Sequence, residues 1–395
     1  PCPPVHLGVP GMTRSQSAVP VLSAIVGRYC PPNHPNPWAN DPAIEYVVLR
    51  AGEDPLPALL DTLGQGGDPV TVAGLAFARE GQVIHTPPRM PHHPNELPWY
   101  PYHKVPVDRY VNRTHLGTRT LSHHSSFGCP FFCNFCAVVN LAEGKWLPES
   151  AERLGELTQY FVDNWHINAL EFHDNNFFTS EKRVVGYAEE LLRRDLAVAW
   201  WGEGRIDTML KYSDRTWKLM RDSGLKMVFM GAESADDETL KKMNKGGTLT
   251  ADKTLALAAR ARQYDIVPEF SFILGNPPDP HKDIAHGIEF IRKVKEINPA
   301  VEIIMYRYDP VPLAGEMWLA AEASGFAFPQ TLDEWADPKW VRVQLRRSAD
   351  TPWFRRSERE LMRNFETVLN AVSYTHLRAH ETVLDLVCRL LLEKK

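Results

Sequence analysis

The run Leu121-Ser122-His123-His124-Ser125-Ser126-Phe127-Gly128-Cys129-Pro130-Phe131-Phe132-Cys133-Asn134-Phe135-Cys136 joins a strand-length stretch to three thiols at spacings of four and three. Three soft donors on a loop that directly follows a strand suit a metal cluster and leave one of its positions open. A closed structural zinc site wants four ligands, and a carrier-type [4Fe-4S] cluster wants a fourth cysteine. The chain has six cysteines, but Cys2 and Cys30 fall in a proline-rich segment and Cys388 in the tail, so none stands beside the triplet. Such spacing arises by chance about once in a thousand chains of this cysteine content.

Outward from the cysteines, strands and helices alternate, which predicts parallel strands joined by covering helices. The strands are expected at 121–127, 170–173, 197–201, 227–231, 269–274 and 302–308, and the helices at 149–164, 181–194, 214–223, 251–264 and 284–297. Six β/α units suit a partial (β/α)6 TIM-type barrel, an open α/β architecture whose chemistry sits at the carboxyl ends of its strands. Residues 118–310 would form the barrel and 311–370 a C-terminal region.

Upstream, proline breaks the pattern: 20 of the 32 prolines precede residue 107. Within 1–90 a strand at 44–49, a helix at 56–63 and strands at 70–76 and 83–86 are expected, and 91–117 reads as an extended proline-rich linker. Downstream, residues 372–382 back-translate to a string resembling a transposase-type sequencing adapter, and 386–395 continue it. The expectation is therefore that 371–395 are not native and that the chain is a fragment at both ends. With 44 basic and 49 acidic side chains the formal charge is −5, which gives no electrostatic case for nucleic acid or an anionic membrane. No apolar run approaches the roughly 20 residues of a membrane helix. Clustered cysteines in a chain of 395 residues with no secretory signal at Pro1 fit a reducing, cytoplasmic setting.

The motif Cys129-x-x-x-Cys133-x-Phe135-Cys136 resembles that of the radical S-adenosylmethionine (SAM) superfamily, in which an aromatic precedes the last cysteine. The resemblance implies a [4Fe-4S] cluster on Cys129, Cys133 and Cys136. Its fourth iron would bind S-adenosylmethionine, which an electron splits to a 5′-deoxyadenosyl radical. It runs over about 119–335. Asp174, closing the second strand, would meet the methionine amine, and Arg205 in Trp200–Asp207 its carboxylate. Glu233 and Ser234, in Gly231-Ala232-Glu233-Ser234, match a fourth-strand signature for the ribose or methionine end. Gly275 would let adenine approach the fifth strand. Each has a plainer reading: a helix cap for Asp174, an ion pair for Arg205, a rim carboxylate for Glu233, a turn for Gly275. His123, His124 and His173 read as packed rather than catalytic. Tyr306 and Tyr308 share a face and either line a cavity or fill the core.

The N-terminal part resembles the end of the doubly wound, Rossmann-like cobalamin-binding domain that precedes many such barrels, although no D-x-H-x-x-G histidine motif occurs. The resemblance then implies cobalamin-dependent methylation or ring formation on a small molecule, fed by an electron donor such as flavodoxin or ferredoxin. A cobalamin-independent radical enzyme is the alternative, and a non-catalytic iron-sulfur or zinc module the alternative of another class.

Overall fold

The computed structural model describes residues 24–27, 38–42, 44–49, 52–90, 92–245, 248–311, 315–329, 331–338 and 351–375. Cys2, Cys30 and 376–395, with most of the expected adapter translation, lie outside them. The expected boundary at 370 falls within a helix, Arg356–Thr375.

Two sheets carry the fold. The first has the order β1 (Ala24–Gly27), β2 (Tyr46–Leu49), β3 (Leu75–Arg79), β4 (Gln82–His85). β1 and β2 are parallel, whereas β2–β3 and β3–β4 are antiparallel, with Glu80 and Gly81 turning the hairpin at φ 54° and 76°. The strand expected at 70–76 starts five residues late. Asp68 accepts a hydrogen bond from the Val70 N–H at 3.0 Å and Pro69 favours a tight helical turn over Pro69–Thr71.

Next come β5 (Thr120–His123), β6 (Ser126–Gly128), β7 (Trp146–Pro148), β8 (Ala169–Phe172), β9 (Ala199–Gly204), β10 (Leu225–Glu233), β11 (Val267–Leu274) and β12 (Glu302–Arg307). Six of them form an all-parallel sheet in the order β12-β11-β10-β9-β8-β5. The end strands β5 and β12 do not pair, so the barrel is partial, as expected. A side-chain oxygen stands at the start of five of the helices that follow the strands. Ser150, Ser180, Ser213, Thr250 and Asp279 each accept from a backbone N–H three residues on. Such a cap contributes about 1 kcal/mol. The helix expected from 284 begins at Pro280, since Asp279 caps it and proline tolerates the first turn. Among the described residues no helix is long and apolar enough to cross a membrane.

Strand alternation sorts the side chains. Leu170, Phe172, Trp200, Val228, Met230, Phe270 and Phe272 turn outward into one core with the covering helices. The residues between them face the opposite side. Within that core Phe172 stacks on Phe177 at 4.7 Å between ring centroids and meets Tyr187 edge-on at 5.4 Å. The 91–117 segment is more structured than an extended linker. Three short helical turns, Pro94–Glu96, Tyr102–Lys104 and Val107–Arg109, run along it. Tyr102 pins it to the barrel, meeting Phe161 edge-on at 5.0 Å while its hydroxyl bonds His123 Nδ1 at 3.3 Å.

Since Phe172 is fully buried at the centre of the aromatic packing, Phe172→Ala should lower stability by about 3–5 kcal/mol. Urea unfolding followed by tryptophan fluorescence checks this.

Candidate metal centre and ligand site

The first strand was expected to run unbroken from 121 to 127, but it breaks at His124 and Ser125. The cause is Asp174, at the end of β8 and wholly enclosed. Its carboxylate accepts the Ser125 N–H at 2.6 Å, the Ser125 hydroxyl at 2.7 Å and the Ser126 hydroxyl at 2.7 Å. Buried Arg183 supports the same corner by donating to the Ser125 hydroxyl at 2.7 Å and the Glu149 carbonyl at 2.8 Å. Pulled aside there, the chain continues as β6, which pairs antiparallel with β7, a strand the sequence did not reveal. The cysteine loop spans the opening of that pair. Gly128 at φ 82° makes the turn, where a Cβ would collide with the Lys145 carbonyl.

Cys129, Cys133 and Cys136 are free thiols, Cys133 buried and the others partly so. Each sulfur faces an N–H donor. The Phe131 amide and Asn176 Nδ2, at 4.0 Å, reach Cys129; Arg205 Nη1 reaches Cys133 at 3.5 Å; the Val138 amide reaches Cys136. Without metal, burial pushes the Cys136 thiol up to about 11, and the neighbouring Cys133 and Cys129 add to the rise. Burial also raises Cys129, against the pull of Phe131 and Arg205. Three close sulfurs that repel one another as thiolates, each met by a donor, fit an iron-sulfur cluster whose positive metal holds them deprotonated. Among the described residues no group of three His, Cys, Asp or Glu side chains could hold a single metal ion.

The other expected residues gather at the same end of the sheet, with partners that redirect several of them. Asp174 is saturated by the two serines and presents no exposed oxygen to a ligand amine, nor does it cap the next helix, whose cap is Ser180. Arg205 grips Asp207 through Nε at 3.0 Å and Nη2 at 2.9 Å, the ion pair of its plainer reading. Glu233, at φ 64°, forms a buried ion pair with Lys245 Nζ, and Gly231 leaves the room for it. Lys245 in turn lies 5.7 Å above the Phe135 ring. Ser234 is buried, its hydroxyl accepting the Asp236 N–H at 3.1 Å. Gly275 has φ 79°, and the ring that comes close to it is Phe354, while Trp353 Nε1 bonds its carbonyl at 3.0 Å. Tyr308 stacks on Trp353 with centroids 6.0 Å apart. His123 is packed and bonded to Glu149 Oε2 at 3.0 Å.

Two carboxylates escaped the sequence reading. Glu203 and Glu269 both pair in register with Phe229 of the strand between them. Burial pushes Glu203 up to about 7, with Asp174 and Glu269 adding to it, and burial raises Glu269, which accepts from Trp201 Nε1 at 3.1 Å. Alternation within Trp200–Asp207 carried the signal, since Trp201 and Glu203 share a face opposite Trp200.

Against known families, the profile described as the radical SAM superfamily matches residues 124–291, from the cysteine loop into the helix after β11. Over these residues the chain is similar to the radical SAM superfamily. A protein of Pyrococcus horikoshii named "uncharacterized methyltransferase" is 27% identical over 255 residues, 64% of this chain and 54% of its own length. An anaerobic magnesium-protoporphyrin IX monomethyl ester cyclase of Rubrivivax gelatinosus is 26% identical over 269 residues, 65% and 46% respectively. The chain thus spans about half the length of these curated relatives. The structure of TsrM, a radical S-adenosylmethionine methyltransferase from Kitasatospora setae, with cobalamin and [4Fe-4S] cluster bound, superposes with TM-score 0.58 at 17% identity. That superposition covers 77% of this chain and 58% of TsrM, and it shows that the two share the partial-barrel fold.

Two outcomes follow from this geometry. Stability gained from keeping Glu203 protonated is complete below its ordinary value of 4.5 and is lost as pH rises through about 7. Glu203→Gln should therefore leave the melting temperature unchanged at pH 4.5 and raise it by several degrees at pH 8, as calorimetry at both pH values would show. Gly275→Ala, which adds left-handed strain and a clash with Phe354, should cost about 2–4 kcal/mol. Adding Phe354→Ala should cost less than the two single changes summed, a coupling that a urea double-mutant cycle measures.

Proposed function

We propose that this chain is the barrel portion of a radical enzyme that carries out cobalamin-dependent methylation or ring formation on a small-molecule substrate. One observation carries the reading: three free thiols, each met by an N–H donor, on the loop beyond the first strand of an open parallel barrel. When bound there, a [4Fe-4S] cluster supplies the electron that splits the sulfonium of S-adenosylmethionine. The chain's own residues do the rest. Cys129, Cys133 and Cys136 would hold the cluster, and Phe135, packed beside Met243 and Tyr308, would wall it. Glu233, Ser234 and the Gly275 backbone stand at the strand ends where a ligand would be oriented. The Glu233–Lys245 pair, both side chains buried, keeps its charges matched.

Relatives named as methyltransferases and as a ring cyclase support this choice of chemistry, as does the parallel β1–β2 pair, which suits the remnant of a doubly wound cobalamin-binding domain. The working division is 1–90 for that remnant, 91–117 for the linker, 118–310 for the barrel, 311–370 for a C-terminal region and 371–395 for non-native sequence. A flavodoxin or ferredoxin is the proposed electron donor and the cytoplasm the proposed compartment.

Anoxic reconstitution with iron and sulfide should give about four irons per chain and the broad absorbance of a cluster, with 5′-deoxyadenosine formed after S-adenosylmethionine and dithionite are added. Cys133→Ala should lose both. A filled cluster that yields no 5′-deoxyadenosine would instead favour a binding module.

A further inference from the structure

The side chain that the sequence directed at a ligand carboxylate points a nitrogen at sulfur instead. Arg205 is buried and fixed from several sides: Nε and Nη2 are held by Asp207, Nη2 also donates to the Lys245 carbonyl at 2.9 Å, and the guanidinium lies 3.8 Å from the centroid of the Phe131 ring. Thr248 donates to the same Asp207 carboxylate at 2.5 Å, which keeps that anion from swinging away. The remaining terminal nitrogen, Nη1, is the one directed at Cys133. Asn176 behaves alike from the end of the neighbouring strand. It is 1% exposed, its Nδ2 is directed at Cys129, and its Oδ1 has no hydrogen-bond partner. A buried amide with one end unsatisfied is costly, and here its donor end is turned to the sulfur. Cys136, by contrast, draws its donor from the local backbone.

We propose that Arg205 and Asn176 are positioning residues that set the electron affinity of the cluster held by the three cysteines. Hydrogen bonds to ligand sulfurs and a nearby fixed cation stabilise the more negative, reduced state and so raise the reduction potential. Arg205, which carries a charge and makes the shorter contact, contributes more than Asn176. In the step concerned, one electron passes from a low-potential donor to the cluster and no covalent bond forms or breaks. The inference rests on the cluster reading above and adds the residues that tune it.

The test is a potentiometric titration of the reconstituted full chain, reduced stepwise with dithionite and followed by the electron paramagnetic resonance signal of the reduced cluster. Arg205→Gln is combined with Asp207→Asn so that no carboxylate is left buried without its cation. This pair should make reduction at least tenfold less favourable, a fall of about 59 mV for a one-electron couple. Asn176→Ala should lower the potential by a smaller amount, roughly threefold in the same equilibrium. Arg205→Lys, which keeps the charge and loses the fork, should fall between wild type and the double variant. Should the double variant not take up iron, the other two substitutions decide. Loaded clusters with wild-type potentials in Asn176→Ala and Arg205→Lys would overturn the proposal. A wild-type chain that takes up no iron would overturn the cluster reading itself, and this inference with it.

Discussion

One enclosed carboxylate governs the mouth of this barrel. Asp174 lies at the end of β8, yet its three hydrogen bonds are made to Ser125 and Ser126 on the neighbouring segment. A carboxylate removed from water is tolerable only when its lone pairs are filled and a cation stands near. The serines fill them, and Arg183, bonded to the same serine hydroxyl, is the cation. The barrel's first strand therefore ends where it does, the chain bends into the β6–β7 pair, and the three thiols emerge on a loop anchored at both ends. The cysteines supply the chemistry, and the acid beneath them supplies the geometry.

The parts of this arrangement legible in the sequence were those carried by periodicity and by a spaced motif. The runs at 170–173, 197–201 and 269–274 announced strands, those at 181–194 and 214–223 announced helices, and the cysteine spacing announced the loop. What stayed hidden depends on pairing between residues far apart in the chain. That Asp174 would be spent on Ser125 and Ser126, about fifty positions upstream, has no local signature. Nor could the sequence show that Arg205 would share itself between Asp207 and Cys133, because an arginine at a strand end looks the same whether a ligand or a sulfur is opposite it. β7 was missed for a related reason. Trp146–Pro148 is three residues long and strand-like only by virtue of its partner.

Charge at the site is matched locally rather than by solvent. Glu233 has Lys245, Asp207 has Arg205, and Asp174 has the serine and arginine corner. Glu203 and Glu269 depart from that rule, for burial outweighs any compensation at both. They sit on the face of the sheet turned away from the aromatic core, where near-neutral pH leaves Glu203 partly protonated. The sheet thus has a hydrocarbon side that supplies cohesion and an opposite side whose polarity is left unbalanced.

The contact between Gly275 and the Trp353–Phe354 pair bears on how the molecule is made. Synthesis delivers a chain from its amino end, and early regions fold as they emerge. The fifth strand of the barrel and its glycine leave the ribosome almost eighty residues before the two rings that close over them. Until those rings arrive, a backbone carbonyl at the rim lacks its donor and a hollow beside it lacks its wall. The barrel's wall can assemble early, but its rim is finished only by the last described stretch of the polypeptide.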